Sequence, residues 1–362
     1  MVPWTILLLV LSSWTAPRSS VNAFGGPVKA ATLEDRRPVI FRSGPDWVVL
    51  DQSPINGKVS LFATDPHYAG RLYAGGLGIF RSDDFGETWL SLNQDLRPTI
   101  LVADPSAPDR LYAVSTGSIW RSDDAGATLR PIAGPPNSVT SFLVDAAGTL
   151  YAVGLEGAFK SATAGDSWSP ITSVGRLVAA DPITPRVLYA LSFNFLPASE
   201  SIFKTTDGAA SWTGPIFGVS QLLGQSLGDL RISPTAPITV HLVTFLQQRA
   251  VCAGTVMASR DGGATWKAVF SSAGVGPIAA DPIRPSVLYV GTFGPCGSNP
   301  DPGGVFQASS STGRFAPLGQ QGFVVQNLAV APDGSILYAV AGGKFAVLRL
   351  PPHTGPAAIP FR

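Results

Sequence analysis

LFATDPHYAGRLYAG, residues 61–75, is the stretch on which the fold turns, because the same phrase returns along the chain. It comes back as LVADPSAPDRLYAV from Leu101, FLVDAAGTLYAV from Phe142, VAADPITPRVLYAL from Val178, IAADPIRPSVLYVG from Ile278 and LAVAPDGSILYAV from Leu328. A worn copy, LRISPTAPITVHLV from Leu230, has Ser233-Pro234 where most others have Asp-Pro, and His241 where they have tyrosine. Each copy joins two apolar runs through a turn of Asp, Pro, Gly and Ser, the signature of a β-hairpin. A second hairpin follows in most copies. Its turn reads SDDFGETW from Ser82, SDDAGATL from Ser122, SATAGDSW from Ser161, TTDGAASW from Thr205, SRDGGATW from Ser259 and a worn SSSTGRFA from Ser309. Asp84 to Asp124 is a step of 40 residues and Asp124 to Thr163 one of 39; later steps stretch to 44, 54 and 50 as insertions accumulate.

Four short strands per unit of this length match the blade of a β-propeller, whose small sheets pack face to face and are unstable alone. Seven units predict an all-β, seven-bladed propeller of four-stranded antiparallel blades over residues 46–350. A helical solenoid would need apolar spacings of three and four, whereas these segments alternate or run apolar over four to seven residues. The seventh unit offers three strands, Val325 to Ala331, Ile336 to Val340 and Phe345 to Leu350, before Pro351-Pro352 ends the ladder. Near the start, Asp46-Trp47-Val48-Val49-Leu50-Asp51-Gln52 repeats the pattern of Thr88-Trp89-Leu90-Ser91-Leu92-Asn93-Gln94 with no three strands before it. Trp47 to Asp51 is therefore predicted to be the outer strand of the last blade, pairing with Phe345 to Leu350 and closing the ring.

The turn S-x-D-x-G-x-T-W, complete at Ser82 to Trp89 and Ser259 to Trp266, resembles the Asp-box or BNR repeat. Proteins carrying it include sialidases, sortilin-type receptors, two-propeller xyloglucanases and photosystem II assembly factors. The resemblance implies that the box closes the hairpin between a blade's third and fourth strands, and it says little about function. The expected roles are structural. Asp84, Asp124, Asp207 and Asp261 accept N–H groups of their turns, beside Ser82 and Ser259. Gly86, Gly126 and Gly263 turn the chain, and Trp89, Trp168, Trp212 and Trp266 fill the space between blades.

A sialidase-like site would need a tyrosine nucleophile, an acid and an arginine clamp. Of seven tyrosines, Tyr73, Tyr112, Tyr151, Tyr189, Tyr289 and Tyr338 share one repeat position and read as scaffold. Tyr68 lies in a turn on the wrong face, and Phe41-Arg42-Ser43-Gly44-Pro45 is only an echo of the arginine motif. The glutamates are Glu34, Glu87, Glu156 and Glu200, and no spacing singles out a pair of carboxylates. Xyloglucanases of this type use a cleft between two propellers, for which this chain is about half the length. His67, His241 and His353 fall in a turn, a strand and the tail, so no metal site is expected, and Asn299 with Asp301 reads as a turn cluster. No cofactor is expected, and no catalytic residue is assigned.

Charged residues make up 14% of the chain and the net charge is +1, which argues against a nucleic-acid partner. Ile6 to Leu11 is an apolar core and Val21-Asn22-Ala23 a small-residue cleavage site, so residues 1–23 read as a signal peptide. Residues 24–45 then form an extension and 351–362 a Pro-rich tail. No stretch is long enough to span a bilayer. A secreted or periplasmic monomer is expected.

In a blade, the connection from strand two to strand three shares a face with the inter-blade links, and the boxes lie on the other. The long connections Phe193 to Ser201, Phe245 to Gly254 and Phe293 to Gly303, with the link Gly214 to Gly228, all fall on one face of blades four to six. Long loops clustered on a rigid rim are where binding resides. Glu200, Asp229, Arg249 and Asp301 are the candidate binding residues there, for a protein or glycan ligand; a glycan hydrolase with a divergent site is the alternative. Cys252 and Cys296, the only cysteines, sit in this kind of connection in adjacent blades and are expected to form a disulfide.

Overall fold

The computed structural model describes residues 47–351, apart from 51–52, 54, 56, 135–137, 173, 235–237, 249–250, 294–302, 310–314 and 320–321 and the side chains of 247–248 and 251–252. The signal-peptide, extension and tail readings, together with Arg249, Cys296, Asp301 and the side chain of Cys252, lie outside the described residues.

Seven sheets of four antiparallel strands succeed one another along the chain. Blade one is Val59–Thr64, Leu72–Gly76, Gly78–Ser82 and Leu90–Asn93, innermost strand first. Blades two to six repeat that order. Blade seven takes Val325–Val330, Ile336–Ala341 and Lys344–Arg349 from one end of the chain and its outer strand, Trp47–Val49, from the other. Trp47 stands opposite Leu348 and Val49 opposite Ala346, so the ring is closed by the N-terminal strand.

The repeated phrase explains itself in the packing. Asp65, Asp104, Asp181 and Asp281 are buried, and each side chain accepts the N–H of the residue two positions on, which fixes the turn between strands one and two. The six repeat tyrosines are all fully buried on strand two. Burial pushes the Tyr112 hydroxyl up to about 12, so it stays protonated and inert as a nucleophile. The apolar core lies between sheets: Tyr73 and Ile79 of blade one, for example, pack on Leu101 and Leu111 of blade two.

The sequence reading treats the long connections of blades four and five as loops, and the structure corrects this. Strands Leu188–Phe195 and Ala198–Thr205 pair to their tips, as do Val240–Gln248 and Val251–Ser259. The link between those blades is likewise mostly strand, Thr213–Ser220 and Gln225–Ile232 around a 3₁₀ turn at Gln221–Leu223. Pairing satisfies the backbone groups that a loop would leave to solvent. Blades four and five thus stand taller than blades one, two, three and seven on one face.

Candidate functional site

The box turns use up their own polar atoms. Ser82 Oγ donates to Asp84 Oδ1 at 2.8 Å and accepts from the Gly86 N–H at 2.8 Å, while Asp84 accepts the Thr88 N–H at 2.8 Å. Ser122, Asp124, Gly126 and Thr128 repeat these bonds, as do Ser259, Asp261, Gly263 and Thr265. In blade four Thr205, Asp207, Ala209 and Ser211 do the same. The hydroxyl and N–H of Thr265 hold the Asp261 carboxyl well below the usual range, and those of Ser211 act likewise on Asp207. Gly86 sits at φ +90°, and a side chain there would overlap the Phe345 ring of the neighbouring blade. Trp168, Trp212 and Trp266 each donate Nε1–H to a backbone carbonyl of the preceding blade, of Ala133, Thr172 and Ile216. Trp89 instead meets Phe345 edge to face at 5.3 Å.

The opposite face carries a cleft of about 300 Å³ along the innermost strands of blades five, six and seven. Asp229 and Arg231 come from blade five, Gly276 and Pro277 from blade six, and Gln326 and Asn327 from blade seven, with Phe245 and Phe293 as apolar walls. Glycines make room for the rings. A side chain at Gly228 would overlap Phe245, and one at Gly276 would press on the Phe293 ring at 3.2 Å. Arg231 Nε donates to Asp229 Oδ2 at 3.1 Å, and the Ile278 N–H of blade six reaches the same oxygen at 3.4 Å. The Arg231 side chain is 51% exposed and that of Asp229 27%, so this ion pair faces the solvent of the cleft.

Glu200 is placed differently. Its Oε1 accepts from Gln221 Nε2 at 2.7 Å and its Oε2 from the Leu227 N–H at 2.5 Å, so the carboxylate fastens the 3₁₀ turn and the start of blade five to the tall hairpin. Asp229 lies two residues beyond Leu227, which sets that hairpin beside the cleft. At its tip Phe195 is 80% and Leu196 95% exposed, and Leu222 and Leu223 of the 3₁₀ turn are exposed too. Phe193 and Phe195 meet edge to face at 4.7 Å.

Chemically the cleft offers donors, acceptors and two aromatic walls, the equipment for a polar ligand with apolar faces. It brings Asp229 and Arg231 together and keeps Glu200 out of the chemistry. Among the described residues, three or more metal-ligating side chains nowhere converge. Arg231, Gln326 and Asn327 are not singled out by the sequence reading, and Phe245 and Phe293 only as ends of long connections, because the residue types at these positions change from blade to blade. The signal that could have found the cleft is register: Asp229, Pro277 and Asn327 share one repeat position, directly before Leu230, Ile278 and Leu328.

Comparison with known proteins follows the same lines. No protein-family model matches the chain. A curated xyloglucanase of Paenibacillus sp. is 26% identical over 201 residues, 41% of this chain and 20% of that protein. The GH74 xyloglucanase of Xanthomonas campestris superposes with a TM-score of 0.63 at 17% identity, covering 84% of this chain and 53% of that one. A GH74 enzyme of Niastella koreensis gives 0.56 at 15% identity, covering 80% and 52%. The extracellular domain of a one-component system of B. thetaiotaomicron gives 0.59 at 14% identity, covering 82% of this chain and 39% of that domain. At these identities the likeness is one of fold, and the chain spans about half the length of the xyloglucanase structures it matches.

Proposed function

We propose that this propeller is exported and binds a glycan on the tall face of blades four to seven, with the Asp229–Arg231 cleft as the primary contact. The observation that carries the reading is the cleft itself: a solvent-facing ion pair and amide side chains between two phenylalanine walls, beside an apolar hairpin tip. Sugar rings present hydroxyl edges to such polar groups and C–H faces to such rings. The matches to proteins named xyloglucanases point to plant-type polysaccharide first, and the resemblance of the boxes to BNR repeats fits the same class. No helix among the described residues is long and apolar enough to cross a membrane.

Titration calorimetry against xyloglucan, cello-oligosaccharides and sialosides tests it. Phe293→Ala and Asp229→Ala are each expected to weaken binding about tenfold or more, one lost contact of ~1.4 kcal/mol, at unchanged melting temperature. Absence of binding to every glycan in the panel overturns the proposal. The same xyloglucanase matches favour a second reading, hydrolysis at this face. Release of reducing ends that is abolished by Asp229→Asn would replace binding with catalysis, since Asp229 is the carboxylate the described cleft contains.

A further inference from the structure

Three positions of the repeat reach from one blade to the next. The first is the cation on strand three opposite the tyrosine: Arg81 faces Tyr73, Arg121 faces Tyr112 and Lys160 faces Tyr151. These donate to box carbonyls of the following blade, Arg81 to Ala125 at 2.8 Å, Arg121 to Ala164 at 3.0 Å and Lys160 to Gly208 at 3.5 Å. The second is the tyrosine itself, whose hydroxyl at Tyr189 donates across to the Gly262 carbonyl at 3.4 Å. The third is the outer-strand tryptophan, which reaches back to the preceding blade. It does so at Trp168, Trp212 and Trp266, and again at Trp47, whose Nε1 donates to the Leu318 carbonyl at 2.9 Å.

Between blades five and six all three are replaced. His241 takes the tyrosine's place, fully buried, with neither ring nitrogen partnered among the described residues. Ala258 stands opposite it where the cation belongs, and Ala316 holds the tryptophan's position. Other junctions keep at least one of these bonds or have other polar contacts instead. Blades one and two have Leu129 for tryptophan but retain Arg81. Blades seven and one have none of the three, with Val347 for the cation, the Tyr338 hydroxyl unpartnered among the described residues and Trp89 bonded to the Gly86 carbonyl of its own box, but Asn327 Nδ2 donates to the Ser60 carbonyl at 3.3 Å. There the chain itself runs across, and the Gly57 N–H donates to the Gly343 carbonyl at 2.8 Å.

Among the described residues, what remains at the five–six junction is chiefly apolar. Phe270 meets Phe315 edge to face at 5.1 Å and Phe306 at 5.5 Å, over Val275, Ile278 and Leu288. Apolar burial has no preferred direction, whereas a hydrogen bond weakens steeply with angle and distance. Two sheets held by packing can shift against each other at a smaller loss than two sheets held by directed bonds. The cleft lies over this junction, with Asp229, Arg231 and Phe245 on one side and Pro277 and Phe293 on the other. The long Ile278-to-Asp229 bond is a polar contact between those two walls.

We infer that the junction of blades five and six is the seam at which the sheets of the ring part first, within the reach of the Cys252–Cys296 disulfide expected at its loop face, and that a ligand in the cleft closes it by contacting both walls. The second clause rests on the binding role proposed above; the first does not. Openings of this kind lie below global unfolding in free energy, and a ligand that prefers the closed form suppresses them.

Hydrogen exchange of the full chain, read by mass spectrometry with and without a xyloglucan heptasaccharide, tests both. Amides of strands Val240–Gln248 and Val287–Thr292 should exchange at least about tenfold faster than their counterparts in Leu150–Gly154 and Leu188–Phe195, a gap of ~1.4 kcal/mol in opening free energy. The repaired chain His241→Tyr/Ala258→Lys/Ala316→Trp should lose that excess while the other blades stay unchanged. Equal protection in all blades, or earliest opening elsewhere, overturns the seam, and the wild-type comparison alone decides this if the repaired chain does not fold. Binding without slower exchange at the seam overturns its closure by ligand. No binding at all sinks the glycan reading and leaves the seam standing.

Discussion

Acidification offers a direct handle on His241. The ring is fully buried, and its cross-strand neighbours are Arg231 and Ala258. Burial drives the imidazole down to about 4 from the ordinary histidine value of 6.5, with repulsion from Arg260 as the smaller cause. Between those two values the unfolded chain takes up a proton that the folded chain refuses, so stability falls as the pH drops through the window. It is whole above about 6.5, and the loss is complete below the folded value. At about 1.4 kcal/mol per unit of displacement, the shift of His241 corresponds to roughly 3 kcal/mol of stability lost between neutral pH and pH 4. The box carboxylates act in a separate window: held low by their hydroxyl and N–H donors, Asp207 and Asp261 surrender their contribution only below the ordinary aspartate value of 3.8. Urea titrations at half-unit steps from pH 7.5 to 3.5 should therefore show a decline beginning near 6.5. His241→Tyr, which restores the residue of the other six blades, should flatten it down to pH 4. Identical slopes for the two proteins across pH 4 to 6.5 would refute the assignment.

Three further outcomes follow from the packing. Trp47 is 7% exposed, bonded to the Leu318 carbonyl and edge-on to Phe323, so Trp47→Ala should cost ~3–5 kcal/mol by denaturant unfolding. A loss under ~1 kcal/mol would show that the closing strand adds little. Gly86→Val combines a positive φ with overlap of the Phe345 ring and should cost ~2–5 kcal/mol, a value to be read from the same curves. Thiol titration of the denatured, unreduced exported protein should find neither Cys252 nor Cys296 free, and two reactive thiols would end the proposed disulfide between the connections of blades five and six.

The blades were legible because a blade is a local object. A turn such as Asp65 to Arg71 and the tyrosine two residues later are set by neighbours in sequence, and repetition makes them stand out. The closing strand was legible too, through the likeness of Asp46 to Gln52 to the outer strand of blade one. The cleft was not. Its residues come from three blades, and although Asp229, Pro277 and Asn327 share one repeat position, their differing side chains form no motif that periodicity alone reports. Glu200 shows the converse error: a carboxylate in the right region, singled out for chemistry, whose oxygens hold the Leu227 N–H and Gln221 instead. The tall hairpins read as loops because their added length departs from the repeat, yet Pro197 sits at one hairpin tip, where a missing N–H removes nothing from the ladder.

The pairing of Trp47 with Leu348 also sets an order of events. The strand that completes the ring leaves the ribosome before the other strands of the propeller, and its partner about 300 residues later. For all that interval Trp47–Val49 is a strand without a sheet, an apolar edge free to pair with whatever passes. Six blades can assemble as they emerge, each on the one before, while the seventh cannot be finished until Lys344–Arg349 has been made. A premature stop anywhere upstream of Lys344 thus leaves an open arc with its clasp unfastened, and the cell meets that arc as a sticky fragment.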